Sequence, residues 1–304
     1  MKKVFFILLF ISTITCAQTS GIKKAVYSKK NKDGNYEFYA ENKDAFNKVV
    51  FINFKKLTNS SFGNNRIYSK TIKPGKNVLF VLEKSDEDKP MSFSYHYELK
   101  KGCKKVEINN DIKYLLPVSP YKKTRVKFRT YKNLKNSEED SPKDFNLMSF
   151  NMHEGDTVFA SRSGLISLDE VKHIDMYGNI LENELFSISI MHKDCSFSTY
   201  SFLKSLLVNL GEFVVAGYPI GIAKGSILFK LYYLEPTAVN DKETNRINYS
   251  NNLRYVPVNF DLSNGETKLD STKSYQPIHR FETITQEMSK REVKKYKKQI
   301  YSSH

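Results

Sequence analysis

Between residues 91 and 99 apolar and polar side chains alternate without a break. Met91, Phe93, Tyr95, Tyr97 and Leu99 stand against Ser92, Ser94, His96 and Glu98. A period of two places one set on one face of a strand and the other set on the opposite face. A helix of that sequence would scatter its apolar groups around the axis, with no single stripe to bury. This segment therefore commits the chain to a sheet with one covered face, and the neighbouring segments agree with it.

Asp33-Gly34 is a hairpin-type turn ahead of Asn35–Glu41. Val49–Phe54 and Asn77–Leu82 are β-branched and aromatic runs, and Pro74-Gly75 and Lys101-Gly102 punctuate them. Residues 21–112 read as a small β-sandwich. Tyr114–Pro120 reads as a linker or as the first strand of a second β-region, and Lys132–Lys143 as a charged loop. From Phe145 strands resume, with candidates at Thr157–Ala160, Gly164–Val171, Leu185–His192, Phe197–Leu203 and Ile227–Glu235. Strands and helices do not alternate, which argues against a doubly wound parallel sheet. Residues 236–280 are polar, with Ser263-Asn264-Gly265 as a hairpin turn. Ser289 followed by Glu292 is a capping box, predicting a helix over about 289–300 that carries Lys290, Arg291, Lys294, Lys295, Lys297 and Lys298. The fold class is thus mainly β, with a short basic C-terminal helix.

Charge narrows the partners. Lys and Arg total 48 against 33 acids, a net +15, which favours nucleic acid, an anionic membrane or an anionic wall polymer. No phosphate loop, dinucleotide turn or nucleic-acid signature is present, so nucleic acid is not the expected partner. Tyr (19) and Phe (21) without Trp agree with β-rich packing. Three Cys cannot build a disulfide framework.

The first residues speak to the compartment. Lys2 and Lys3 precede an apolar run, Val4 to Ile11, and then Ser12, Thr13, Ile14, Thr15, Cys16 and Ala17. A basic start, a short apolar centre and small residues make residues 1–17 a signal peptide, cut before Gln18. The run is too short to span a bilayer, and no other stretch reaches transmembrane length. The mature chain is then exported, to the periplasm or beyond. A lipid on Cys16 is the alternative, although Thr13 and Thr15 fit a lipobox poorly. After cleavage only Cys103 and Cys195 remain, and an oxidising envelope would let them pair.

The second β-region carries a resemblance. Phe150 to Ile166, with Glu154-Gly155-Asp156-Thr157-Val158 and Gly164-Leu165 inside it, resembles the turn, Val-x-Ala strand and Gly-Val pair of the lysostaphin/LytM-type zinc endopeptidases. Ile188 to Leu203 resembles that family's strand pair around His-x-Asp-Gly and Tyr-x-His-Leu. Val208 to Gly221 is similar to its Val-x-x-Gly-Asp-x-Val-x-x-Gly-Gln-x-Ile-Gly run, and Lys230-Leu231-Tyr232 falls where it has His-x-His. The four blocks cover residues 114–236 in the family's order. The chain also looks like exported Bacteroidetes-type members, with an N-terminal β domain and a basic C-terminal helix. The resemblance implies a duplicated antiparallel β core, leaving 237–304 as a C-terminal extension.

The same resemblance implies a lost metal site. The family holds zinc through a His, an Asp and the second His of His-x-His, with two further His assisting water attack. Position by position, the Asp is Ser149, the histidine of Tyr-x-His-Leu is Phe202, and His-x-His becomes Lys230 and Tyr232. No His lies between His96 and His153 to act as the first ligand. Zinc needs several deprotonated N, S or O ligands; Phe has no lone pair and a Lys ammonium repels a dication. The expected cofactor is none, and zinc enters only under the alternative of an active peptidoglycan cross-bridge endopeptidase with ligands from other positions. The preferred reading is a non-catalytic envelope module whose groove, relined by Ser149, Phe202, Lys230 and Tyr232, binds a peptidoglycan peptide or an envelope protein; a purely structural envelope role is the third reading.

Other groups read more plainly. His153, Glu154 and Asp156 form a solvated turn, and His173 with Asp175 lies in a polar insertion. Cys195 takes the family's turn-Gly position, with His192 three residues before it; a nucleophilic Cys would need a His partner and a lowered pKa. The leader reading has a direct test. N-terminal sequencing of the native protein is expected to begin at or near Gln18, and an intact Met1 or a lipid-modified Cys16 would overturn it.

Overall fold

The computed structural model describes residues 24–62, 67–129, 144–167, 185–241 and 246–302. The expected leader with Cys16, the expected loop Lys132–Lys143, and His173 with Asp175 lie outside the described residues. Strand takes up 51% of the chain and helix 7%, and every ladder joining the described strands is antiparallel. The expected mainly β, antiparallel class holds.

The first unit faces two three-stranded sheets. One runs β1 (Val26–Lys30), β2 (Tyr36–Asn42), β5 (Gly75–Leu82); the other runs β4 (Ile67–Ile72), β3 (Lys48–Thr58), β6 (Ser92–Lys101). The alternating segment is β6. Its Phe93, Tyr95, Tyr97 and Leu99 pack on a core of Phe38, Val50, Ile52, Phe54 and Leu82. Aromatic rings fill that core: Phe38 stacks on Phe80 at 4.7 Å and meets Tyr95 edge-on at 5.2 Å. This is why the unit needs so many Phe and Tyr. Six short strands enclose little volume, and large rings bury the most apolar area per residue.

The second unit is a ten-stranded sheet. It comprises β7 (Thr124–Arg129), β8 (Leu147–Phe150), β9 (Thr157–Phe159), β10 (Gly164–Ser167), β11 (Phe186–Met191), β12 (Ser196–Leu206), β13 (Phe213–Val214), β14 (Pro219–Asp241), β15 (Arg246–Tyr255) and β16 (Ser274–Tyr275). The order is β13-β10-β11-β12-β14-β8-β7-β16, with β9 and β15 also paired to the long β14. One face carries the core, built from Phe150, Ile166, Ile188, Ile190, Tyr200, Phe229 and Leu231. Gly164 marks where backbones come closest. A Cβ there would lie 2.4 Å from the Met191 carbonyl oxygen, so any larger residue forces β10 and β11 apart.

β14 runs on through residue 236, and β15 and β16, both from the 237–304 segment, belong to the same sheet. Val256, Val258, Phe260 and Leu262 close the main core. The segment is polar on average, but its apolar residues sit where the sheet's open face needs covering. Only its end is helical: α1 (Phe281–Thr285) and α2 (Lys290–Ser302). The capping box forms as expected, with the Ser289 N–H donating to Glu292 Oε2 at 2.7 Å and the Glu292 N–H donating to Ser289 Oγ at 3.3 Å.

Cys103 and Cys195 are bonded, joining the two units across 92 residues. Around the bridge, Lys101 Nζ lies over the rings of Phe46 and Phe197 at 5.1 and 4.7 Å, and the Asn251 side-chain amide donates to the Lys101 carbonyl at 3.2 Å. Closing a loop of this length in the unfolded chain is worth about 4.6 kcal/mol in the chain-entropy model, and native-state strain brings the usual figure below that. The double variant Cys103→Ser, Cys195→Ser is therefore expected to lose about 2–4 kcal/mol in urea unfolding. Equal midpoints for parent and variant, with and without reductant, would show that the bridge does not stabilise the fold.

Candidate functional site

Register decides which side chains share a surface. Opposed residues in an antiparallel pair point to the same face of the sheet. Across β14, β12, β11 and β10 the opposed set is Lys230, Thr199, Ser189 and Ser167. One step along, Tyr232 opposes Phe197, which opposes Met191 and then Leu165. On the other side, Ser149 of β8 opposes Leu228, which opposes Ser201 and then Ser187. These residues line the face opposite the main core. Ser149, Lys230 and Tyr232 are thus brought together on one surface.

That surface is a floor of hydroxyl groups in which Lys230 stands, with the exposed Lys127 opposite Ser149 at its edge. Ser189 and Thr199 share a hydrogen bond of 2.6 Å, as do Ser187 and Ser201 at 2.7 Å. Thr199 Oγ1 lies 3.5 Å from the Tyr232 hydroxyl as donor. The Ser167 hydroxyl is buried and has no hydrogen-bond partner among the described residues. Lys230 is half-buried, and its Nζ lies 4.8 Å from the centroid of the Tyr232 ring. Tyr232 itself is only 3% exposed and stacks on Phe197 at 5.6 Å. Its ring is already covered, so it acts as a wall beside Lys230 and offers no open face to a sugar.

Phe202 stands apart from the other three. It occupies a bulge in β12, between Ser201, paired to Leu228, and Leu203, paired to Ala223. Its φ is +70°, a left-handed conformation that a bulky residue adopts at a cost of about 1–3 kcal/mol. Cys195 also has a positive φ of 65°, in the turn closed by its N–H to the His192 carbonyl at 3.0 Å. The turn keeps the backbone a Gly would favour, while its side chain is committed to the disulfide. A bonded Cys is no nucleophile.

The donor set does not fit zinc. A serine hydroxyl, a phenyl ring, an ammonium group and a buried phenol stand at the positions the resemblance gives to metal ligands and their helpers. None is a thiolate, imidazole or carboxylate. Among the described residues no three His, Cys, Asp or Glu side chains come together to hold a metal ion. His192 points to the core side of the sheet, where its Nδ1 lies 2.8 Å from the Ser163 carbonyl and its Nε2 3.0 Å from Ser198 Oγ. The His153–Asp156 turn is structural. The His153 N–H donates to Asp156 Oδ2 at 2.9 Å, Lys122 pairs with Asp156, and exposed Glu154 lies between Lys204 and Lys224 at 3.0 and 2.9 Å. Burial pushes the Asp156 carboxyl up, but the Lys122 ammonium and the His153 N–H outweigh it and hold it low.

Sequence reasoning missed a buried ion-pair cluster around Arg162. Arg162 is 2% exposed. It donates to both oxygens of Glu287 at 2.8 and 2.7 Å, to Asp194 at 2.9 Å and to the Tyr114 hydroxyl at 2.8 Å. Burial disfavours its charge, yet Glu287, Asp194 and the surrounding oxygens more than restore it, and its pKa rises. Burial also pushes the Tyr114 phenol up to about 12. Glu287 lies 125 residues away, so no local spacing could have announced the cluster.

No family model and no curated protein matches the chain. Solved structures similar to it include the M23 metalloprotease pseudoalterin from the deep sea, at 14% identity over 48% of this chain and 99% of that one, TM-score 0.29. Csd3 of Helicobacter pylori is similar at 9% identity over 92% and 84%, TM-score 0.28. A zinc-containing peptidase of Vibrio cholerae is similar at 8% over 74% and 83%, TM-score 0.27.

The buried histidine yields a pH prediction. Burial first, and then the nearby Arg162 charge, lower the His192 pKa to about 3. An unfolded His titrates near about 6.5. Between those values the unfolded chain binds a proton that the folded chain does not, so stability is lost as pH falls from about 6.5 toward 3. Urea midpoints are expected to drop between about pH 7 and 5 in the parent and to drop less in His192→Gln, with His279 unchanged in both. Equal slopes would mean that His192 is protonated in the folded protein.

Proposed function

We propose that this chain is an exported protein of LytM-like metallopeptidase fold in which the zinc chemistry has been replaced by ligand binding. Its partner is a carboxylate-bearing peptide of the cell envelope, either a peptidoglycan stem peptide or an acidic segment of an envelope protein. The observation that carries this reading is the composition of one sheet face. A half-buried Lys230 stands in register with Thr199, Ser189 and Ser167, where the resemblance has a dication and its ligands.

Chemistry connects the two states of such a face. A zinc ion attracts a peptide carbonyl or carboxylate and also acidifies water. An ammonium group keeps part of the attraction and cannot generate hydroxide. Hydroxyl groups beside it supply hydrogen-bond donors that hold an anion without competing for its charge. Tyr232, Phe197 and Met191 close one end of the face, with Phe46 of the first unit packed against them. A ligand therefore reaches Lys230 from the Ser149 and Ser201 side.

Two measurements test this function. Protein purified without chelator and re-equilibrated with zinc is expected to hold no stoichiometric metal in elemental analysis; one tightly bound zinc per chain would restore the active-peptidase alternative. Lys230→Glu is expected to weaken muropeptide binding about tenfold or more, the loss of one charge-assisted hydrogen bond, while the thermal midpoint stays nearly unchanged. Unaltered muropeptide binding by the variant would remove the face from consideration as the binding site.

A further inference from the structure

The C-terminal helix α2 has an asymmetry that the groove does not use. At 3.6 residues per turn each residue advances about 100°, so Lys290, Arg291, Lys294, Lys295, Lys297 and Lys298 fall within one arc of about 160°. No acid lies in that arc, and Glu292, the helix's one acidic residue, is engaged with Ser289 at its start. Val293, Tyr296 and Ile300 fall within about 60° on the opposite side. The structure orients the two arcs. Val293, Tyr296 and Ile300 are half-buried, and Tyr296 stacks on Phe281 of α1 at 6.2 Å. All six cations are exposed.

We infer that α2 is a docking surface for the anionic headgroups of a lipid bilayer, bound by charge and without insertion. Its thirteen residues span about 20 Å, room for several headgroups side by side. The apolar residues that a membrane-inserting helix would turn to the acyl chains are here half-buried, with Tyr296 stacked on Phe281. What faces outward is a band of flexible Lys and Arg side chains, suited to laterally mobile anions on a flat surface, while Lys297 Nζ lies over the Phe281 ring at 5.0 Å. Arg291, Lys294, Lys295 and Lys298, with Glu292, line a shallow dent on the helix. The exposed Lys193 lies close enough to bear on Glu292 and adds to the same positive field.

This surface is independent of the groove and of its ligand, and its test separates the two. The full chain is sedimented with phosphatidylcholine vesicles with and without a phosphatidylglycerol fraction, at low and high salt. Binding is expected only to the phosphatidylglycerol vesicles and only at low salt. The variant Lys294→Ala, Lys295→Ala, Lys298→Ala keeps helix-forming residues at exposed positions, so the fold is retained. Each cation near an anionic surface is worth about fivefold in partition, so the triple variant is expected to bind roughly a hundredfold more weakly. Gln299→Ala, outside the cationic arc, is expected to bind like the parent. Equal binding by parent and triple variant, or equal binding to both vesicle types, overturns the proposal. So does capture by soluble polyphosphate in the absence of any binding to phosphatidylglycerol vesicles, which would assign the helix to a free polymer. Lys230→Glu is expected to leave vesicle binding unchanged.

Discussion

Arg162 is the point on which the second unit turns. Arg162 lies in the turn from β9 to β10, and its guanidinium reaches three distant parts of the chain: Tyr114 before the sheet begins, Asp194 in the β11–β12 turn, and Glu287 between the two helices. A buried cation without partners would cost several kcal/mol, so each of these segments has to be in place before the others are stable there. The bidentate contact to Glu287 has a further consequence. It fixes where the C-terminal segment crosses the sheet, and so fixes the start of α2 two residues after Met288. Removing Glu287 alone leaves a buried guanidinium under-compensated, which is worse than replacing the whole cluster with apolar groups.

The two units meet at a second, softer junction. Lys101 comes from β6 of the first unit and Lys230 from β14 of the second. Between them lie the stacked rings of Phe197 and Tyr232, with Lys101 over one and Lys230 over the other. Ammonium groups are drawn to the negative faces of aromatic rings, by about 0.5–1 kcal/mol at exposed sites and more where water is excluded. The rings thus let two like charges approach one small core without meeting. The disulfide holds this arrangement from the turn at Cys195. A chain of net charge +15 has to bring cations together wherever its parts pack, and aromatic side chains are its means of doing so here.

Much of the fold was legible from period and punctuation. The alternation over 91–99 became β6, the capping box became the start of α2, and Gly265 has the left-handed φ of 79° that its turn reading required. What escaped was set by distance along the chain. β15 reads as a polar segment, Arg246–Tyr255, because it is an edge strand with its partner on one side only and exposed side chains alternating along it. Phe260 and Leu262 look like isolated apolar residues in a loop, yet they cap the main core. At the candidate site, a period of two sufficed to put Lys230 and Tyr232 on one face. The hydroxyl groups of Ser167, Ser189 and Thr199 come from strands whose register local sequence does not encode, so their row across the sheet was invisible. The burial of Tyr232 was equally hidden, because the groups that cover it come from strands far apart in the chain.

The hydroxyl row also explains how the sheet tolerates a lysine where the resemblance has a metal. A sheet face lined by carboxylates and imidazoles is stable only around a cation that uses their lone pairs. Serine and threonine satisfy one another across strands, as the Ser189–Thr199 and Ser187–Ser201 bonds do, and need no ion to offset them. Lys230 then rests on the Tyr232 ring, where the ring quadrupole offsets part of its lost hydration. The two features support each other: paired hydroxyls need no dication, and an aromatic neighbour makes room for a single positive charge. Restoring one histidine or one aspartate to this face would add a lone pair without a metal to receive it. A zinc site on this face would therefore require several changes at once, with Lys230 among them.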